Sequence, residues 1–388
     1  MKKIITSLVF TAIALPAFAQ LGDFTFDGFV RTGFIWWKNE KIGQKPDIQV
    51  RLRSLDDAGD SQGRIRMNFS YAINNTGIKG RLQWDDWTNT KKAPDWPYLF
   101  AYINSFEDQL TISAGKLGAS PWGTGGPEKH KELESTSGDG SGGGGVRFEY
   151  KPLFVPGLNV GFVLNWFNGS TDRGLSGREV TLLDILQETV FGVGYENDYF
   201  LAHFEYRLDG DIDQRPGSSA VGIEGDDLIY RLEERVLKNY LPGFNAWALG
   251  VFEGVGAEEK NKDCIHFENW LFMQYDKDWG TAQVRLGYDV VETRSILHLK
   301  PSYYHKFLDN MINIGAFFYY ANDFGDDRVN KDAPYTEIQI EPKLQINFAN
   351  AYIAFTYNYK QTYIAKTPKA NPPIERFQTM NLRFGMSF

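Results

Sequence analysis

The chain has 388 residues, with 41 Lys and Arg against 49 Asp and Glu, for a net charge of −8. That acidic balance argues against a nucleic-acid partner, and the single cysteine, Cys264, leaves no internal disulfide framework. Aromatics are in excess, with 29 Phe, 20 Tyr and 10 Trp beside 39 Gly. Mean hydropathy is nevertheless negative, so apolar and polar residues are interleaved along the chain.

Lys2 and Lys3 precede an apolar run from Ile4 to Ala14, then Pro16 and the small-residue box Ala17-Phe18-Ala19, with Gln20 following. This order predicts a secretory signal peptide over residues 1–19 and export of the remainder. Beyond it, no apolar stretch approaches the 18 or more residues of a spanning helix. The nearest, Leu153 to Phe167, is interrupted by Pro156, Gly157, Asn159 and Asn165. If the mature chain crosses a membrane, it must do so as a closed sheet.

Period-two alternation recurs throughout. Phe24, Phe26, Val30, Phe34 and Trp36 share one face, with Asp23, Asp27 and Arg31 on the other. Ile65, Met67, Phe69 and Tyr71 oppose Arg64, Arg66, Asn68 and Ser70, and Ile78, Leu82 and Trp84 oppose Lys79, Arg81, Gln83 and Asp85. Phe200, Ala202, Phe204 and Tyr206 alternate with His203, Glu205 and Arg207. Ile338, Ile340, Leu344, Ile346 and Phe348 alternate with Glu337, Gln339, Glu341, Lys343, Gln345 and Asn347. Charge confined to one face fits a strand between lipid and an aqueous lumen. Pro342 lies inside the last of these runs and predicts a bulge or register break.

Two classes of connector alternate. Short turns are expected at Asn74-Asn75, Phe106-Glu107-Asp108, Pro156-Gly157, Asn197-Asp198, Pro242-Gly243, Asp276-Lys277-Asp278, Leu308-Asp309-Asn310 and Ala349-Asn350. Between them lie longer polar connectors at 38–62, 86–95, 117–144, 169–188, 209–226, 255–263, 323–334 and 362–375, and a brief one near Val291 to Thr293. That tally closes about 18 strands, or 16 if Asp227–Asn239 is a helix, which its Leu, Arg and Glu content equally allows. Arg178–Glu188 also has a helical composition and falls inside a connector.

The chain ends on Leu382, Phe384, Met386 and Phe388, alternating with Asn381, Arg383, Gly385 and Ser387. With the signal peptide, this final strand resembles the Gram-negative outer-membrane β-barrels, and among them the porins. The resemblance implies an all-β fold: a transmembrane antiparallel up-and-down β-barrel over residues 20–388, with long extracellular loops and short periplasmic turns. It makes Phe384, Met386 and Phe388 part of the signal read by the barrel-assembly machinery. Outer-membrane lipid and lipopolysaccharide become the surroundings, and a homotrimer a common assembly.

In porins the third loop commonly folds inward and narrows the barrel. Here the third connector, 116–145, holds Pro121-Trp122-Gly123, the charged run Glu128 to Glu132, Glu134, and four glycines after Ser141. Its Gly/Ser content also fits a surface linker. Arg31, Arg64, Arg66, Lys79, Arg81 and Arg383 would form one contiguous basic wall, because the last strand must pair with the first. Glu128, Glu132 and Glu134 are candidates for the opposing side. Further lumen charges are Asp27, Asp85, Arg147, Glu149, Glu205, Arg207, Glu337, Glu341 and Lys343. The plainer reading is that these charges only solvate the lumen. Aromatics such as Trp36, Trp37, Trp84, Trp96, Tyr98, Tyr303, Tyr304 and Tyr357 suit interfacial girdles or a sugar track inside the pore.

Chemistry beyond passage finds little support. Asp209, Asp211 and Asp213 open like a calcium loop, but Gln214 and Ala220 stand where glycine and glutamate are needed. The five histidines, His130, His203, His266, His298 and His305, fall in no nucleophile or metal motif. The expectation is therefore no catalytic residue, metal or cofactor, and passive diffusion of small hydrophilic solutes and ions. The alternatives are a channel selective for sugars, carboxylates or phosphate, and a barrel acting mainly as adhesin or anchor.

Overall fold

The structure is a computed structural model that describes residues 22–41, 43–52, 64–85, 94–118, 120–122, 144–167, 189–208, 226–255, 266–291, 294–324, 335–364 and 375–388. The expected signal peptide, Cys264, Arg178–Glu188 and Asp209–Asp213 lie outside these residues, as do Glu128, Glu132 and Glu134. The strands are β1 (Asp23–Lys41), β2 (Asp47–Leu52), β3 (Arg64–Ile73), β4 (Thr76–Asp85), β5 (Asp95–Ser105), β6 (Leu110–Lys116) and β7 (Gly144–Tyr150). They continue as β8 (Leu158–Phe167), β9 (Thr189–Glu196), β10 (Phe200–Arg207), β11 (Asp226–Glu234), β12 (Phe244–Val255) and β13 (His266–Lys277). The last are β14 (Gly280–Val291), β15 (Arg294–Phe307), β16 (Ile312–Asp323), β17 (Tyr335–Asn347), β18 (Ala351–Ile364) and β19 (Glu375–Ser387).

From β3 onward each strand pairs antiparallel with the next, and β19 returns to β1, so the sheet closes as an antiparallel barrel. The barrel has eighteen places and one extra strand. That strand, β2, pairs with Phe34–Asn39 of β1, while β3 pairs with Asp23–Arg31 of the same edge. The second place is thus filled in two pieces, one after the other. This corrects the expected 38–62 connector. β1 runs on to Lys41, and the turn beyond includes Gly43 at φ 74° before Ile48 and Val50 resume the outward apolar row.

Asp227–Asn239 divides between its two readings. Its first part lies in β11, and Leu237–Tyr240 forms a one-turn helix, α1, in the turn before β12. The strand half keeps the count at eighteen rather than sixteen. Pro342 shifts no register but interrupts the ladder: Ile340 pairs with Tyr359 and Lys343 with Thr356 at one offset, the β17–β18 pairing lapses at Glu341 and Pro342 between them, and Pro342 pairs with Ala316 on the other side. No residue is inserted there, so the missing N–H is absorbed without a bulge. Irregular register appears instead near strand ends, at Asp226/Leu228, Arg81/Gln83 and Gly144/Gly145.

Burial is inverted relative to a water-soluble sheet. Phe34 is 53% exposed and Ile340 46%, whereas Glu205 is 0%, Asn381 2% and Arg383 6% exposed. Apolar side chains face outward along β19, at Met380, Leu382, Phe384 and Met386, while Thr379, Asn381 and Arg383 turn in. Only hydrocarbon receives such an exterior without a large penalty. In that medium an unpaired backbone group costs several kcal/mol, so closure at the β1–β19 seam is what makes the sheet viable. The seam is finished by the terminal residue. Gly28 donates its N–H to Phe388 O at 2.9 Å, Phe388 donates to Gly28 O at 3.0 Å, and the Phe388 ring lies 5.8 Å from that of Phe26.

Candidate functional site

The lumen face is built by side-chain parity, and register decides which inward residues become neighbours. Arg383 on β19 stands opposite Gly33 of β1, Arg31 opposite Arg64, and Arg66 opposite Phe29. On β4, Arg81 is opposite Asn68 and Lys79 opposite Ser70. All six cations of the expected basic wall therefore occupy four adjacent places. Asp27 joins them: Asn68 Nδ2 donates to Asp27 Oδ1 at 2.6 Å, while Arg81 Nε donates to Asn68 Oδ1 at 2.8 Å. Arg66 Nε donates to Gln83 Oε1 at 2.8 Å. Asp85 ends β4 opposite Arg64.

Aromatic rings orient these cations, a feature absent from the sequence-based expectation. The Phe29 ring lies 4.7 Å from the Arg31 guanidinium and 5.3 Å from that of Arg66. β5 turns Tyr98, Phe100 and Tyr102 inward at every second position, and each is met by a cation. Arg81 lies 5.0 Å from Tyr98, Arg147 5.5 Å from Phe100 and Lys79 5.3 Å from Tyr102. Such contacts contribute about 0.5–1 kcal/mol where exposed and more when desolvated. The clue was the alternation of rings in the β5 segment, opposite the basic residues of β4. Of the two readings of the aromatics, girdle or lumen, Tyr98 and Tyr304 take the second: both face the lumen, where Arg81 and Lys343 lie over their rings.

Among the remaining charges several cations and carboxylates are paired, while Lys343 lies over the Tyr304 ring. Arg147 Nε lies 2.7 Å from Glu149 Oε1, Arg207 Nε 2.5 Å from Glu205 Oε1, and Arg231 Nη2 2.9 Å from Glu233 Oε2. Each pair is separated by two residues, the spacing that puts side chains on one face of a strand. Lys360 Nζ meets Glu337 Oε2 at 2.6 Å, and Asn358 Nδ2 donates to Glu341 Oε2 at 2.8 Å.

Two apolar patches also lie inside the barrel. Ile229, Leu249, Val251, Trp270 and Phe272 pack together on β11–β13, with Trp247 stacked on Phe272 at 5.0 Å and 3°. Trp270 Nε1 donates to Glu268 Oε1 at 2.5 Å. This patch lies half-way round the eighteen places from the basic wall. The second contains Leu117, Trp122, Val163 and Val190, with Phe100 against it. Leu117 and Trp122 belong to the start of the third connector. The signal for the first patch was loss of alternation: β12 and β13 are apolar on both faces. No group of three or more His, Cys, Asp or Glu is arranged to hold a metal among the described residues.

Solved structures share this architecture. OpdQ of Pseudomonas aeruginosa aligns over 94% of this chain and 98% of its own, with TM-score 0.55 and 9% identity. An anion-selective porin from Comamonas acidovorans aligns over 95% and 100%, with TM-score 0.52 and 11% identity. The fold is that of the outer-membrane porins. OccK7 (OpdD) of Pseudomonas aeruginosa aligns over 94% and 99%, with TM-score 0.50 and 9% identity. No protein-family model and no curated protein matches the chain. At such identities the porin fold is what is shared, and the chemistry of passage rests on this chain's own lumen residues.

Proposed function

We propose that this chain is an outer-membrane porin, a water-filled barrel through which small hydrophilic solutes and ions diffuse down their gradients. One observation carries the reading: the sheet is closed with apolar side chains outward and charged ones inward. An anchor or adhesin needs the apolar belt but has no use for a charged interior. Passage of this kind is passive. It requires no cofactor and no catalytic residue.

The basic wall of Arg31, Arg64, Arg66, Lys79, Arg81 and Arg383 sets the field along one side of the path. Fixed rows of charge orient dipolar solutes and bias ion preference. Asp27 and Asp85 on the same places, and the carboxylates of the third connector, temper the wall, which leaves a mild bias toward anions and no strong selectivity. The third connector, 116–145, narrows the path, with Glu128, Glu132 and Glu134 as the carboxylates turned toward the arginines. Phe384, Met386 and Phe388 serve as the assembly signal for the barrel-assembly machinery. Lipid and lipopolysaccharide surround the barrel, and a homotrimer is the expected assembly.

A substrate-selective channel is the second reading, and the Arg31–Phe29–Arg66 arrangement favours it. Guanidinium groups steadied on a ring are prepared to grip carboxylate or phosphate in bidentate fashion. Single-channel recording in asymmetric KCl tests both readings. The parent should conduct with a reversal potential on the anion side, and changing Arg31, Arg66 and Arg81 to Glu should move it toward cations. An unchanged potential would remove those residues from the narrow part of the path, and a silent parent would leave the adhesin or anchor reading. Block by carboxylates or phosphate, absent with sugars, would single out the selective channel.

A further inference from the structure

Trp122 is completely buried on the lumen side of the wall, where a side chain of a water-filled pore would ordinarily be wet. The wall beneath it lacks side chains. Gly161 on β8 and Gly192 on β9 are directly paired, and Gly194 lies two residues along β9 on the same face. A Cβ on Gly192 would lie 1.9 Å from Cδ2 and 2.0 Å from Cε3 of the indole. One on Gly161 would lie 2.8 Å from Cη2, and one on Gly194 would lie 3.4 Å from Cδ1.

Glycine weakens a strand interior and commonly marks close approach by another group. Gly192 leaves the space that the ring fills and Gly161 borders it, its Cβ position also 1.9 Å from Phe148 O, while Gly194 lies closest to His203, 2.8 Å from Cδ2, and meets the indole only at ordinary contact distance. Leu117, Val163 and Val190 complete the niche, with Phe100 against it. The Trp122 Nε1–H has no hydrogen-bond partner among the described residues. Shape and apolar contact therefore hold the ring, aided by its backbone N–H donating to Ser120 Oγ at 3.3 Å.

We propose that Trp122 anchors the start of the third connector to the β8–β9 wall and that this anchored stretch, held on the lumen face at Leu117 and Trp122, limits the bore of the channel. The bore half of this statement rests on the channel reading, whereas the anchoring half does not. Trp122 is a positioning residue, and Gly192 with Gly161 beside it is its receptor. In the sequence, Pro121-Trp122-Gly123 stood out, but its receptor lies about 40 and 70 residues away on strands whose pairing only the fold supplies.

Paired cysteines separate the two halves. The indole Cγ is 2.4 Å from the Cβ position on Gly192, so the two Cβ atoms lie within about 4 Å, a separation that suits a disulfide. Trp122→Cys with Gly192→Cys, in a Cys264→Ser background, should cross-link on oxidation of the folded barrel. A mobility shift of the unfolded chain, reversed by reductant, reads the bond. Gly80→Cys in place of Gly192→Cys should not cross-link. A folded barrel in which 122 and 192 fail to link would overturn the anchor.

Trp122→Ala, verified as folded by heat-modifiable migration, should raise single-channel conductance at least twofold with added current noise, and Trp122→Phe should return it most of the way. Parent-like conductance in Trp122→Ala would defeat the bore claim. Cross-linking in a protein that never conducts would uphold the anchor and defeat the channel reading.

Discussion

Arg31 and Arg64 stand directly opposite each other across the β1–β3 pair, both turned into the lumen. Like charges in that position repel and cost a few tenths of a kcal/mol or more. Arg31→Gln relieves that repulsion but gives up the contact with the Phe29 ring, so the two contributions largely offset and unfolding stability should change by under about 0.5 kcal/mol. High salt screens the repulsion in the parent, so the variant should fare relatively worse there than at low salt. Anion preference should fall in the same variant. Urea titration at two ionic strengths and a reversal-potential measurement check this, and a loss of several kcal/mol would show that Arg31 is a structural tie of the seam.

Phe29 joins the same cluster from the other side, with Arg31 and Arg66 both over its ring. Phe29→Ala should lose about 1–2 kcal/mol, one modest cation–π contribution for each arginine. Phe29→Tyr keeps the ring face and should lose little. The guanidinium groups freed by the alanine change should also broaden the distribution of single-channel currents. A narrow, parent-like distribution would mean that the ring does not position them.

Neighbouring residues on β17 test which medium lies on each side. Ile340 is on the outward row, and Gln339 faces the lumen opposite Tyr319 and Lys360. Ile340→Lys should cost about 2–4 kcal/mol in a lipid bilayer if the position lies near the midplane, while Gln339→Lys, which meets Lys360 across the strand pair, should cost only about 0.2–1 kcal/mol. Folding into vesicles followed by denaturant titration gives both values. Equal costs would contradict the inverted arrangement of the barrel.

The terminal residue closes the seam through two backbone hydrogen bonds with Gly28. Deleting Phe388 removes both bonds and the ring contact with Phe26, whereas Phe388→Ala removes only the ring. The deletion should lower the yield of heat-modifiable barrel more than the alanine change does. Gly28→Val should resemble the deletion, because a Cβ there would lie 2.8 Å from the Phe388 ring and 2.4 Å from Arg66 O. Quantitative gel analysis of refolding yield ranks the three. Equal yields would make the seam bonds irrelevant to assembly.

Much of the barrel was legible in the chain because lipid and water impose a period of two on every spanning strand. The ends of β17 and β19, the short turns, and the contiguity of Arg31, Arg64, Arg66, Lys79, Arg81 and Arg383 all follow from local alternation plus closure. Where the interior is itself apolar, the period disappears. Leu249, Val251, Trp270 and Phe272 face inward beside outward apolar neighbours, so lost alternation in β12 and β13 was the one trace of an interior patch. The second place of the barrel was hidden for another reason. β2 is six residues long, too short for its alternation to stand out from a connector.

What the amino-acid sequence determined unaided is the class of molecule: an alternating, aromatic-rich sheet with polar residues sequestered on one face, since that pattern is a local property of each strand. Which side chains meet across the lumen was decided only by the closed sheet. Register and curvature bring Phe29 between two arginines and lay Trp122 on Gly192 beside Gly161, and neither property is written within a single strand. Side-chain parity is a matter of nearest neighbours along the chain, whereas a pore lining is a matter of neighbours around a ring.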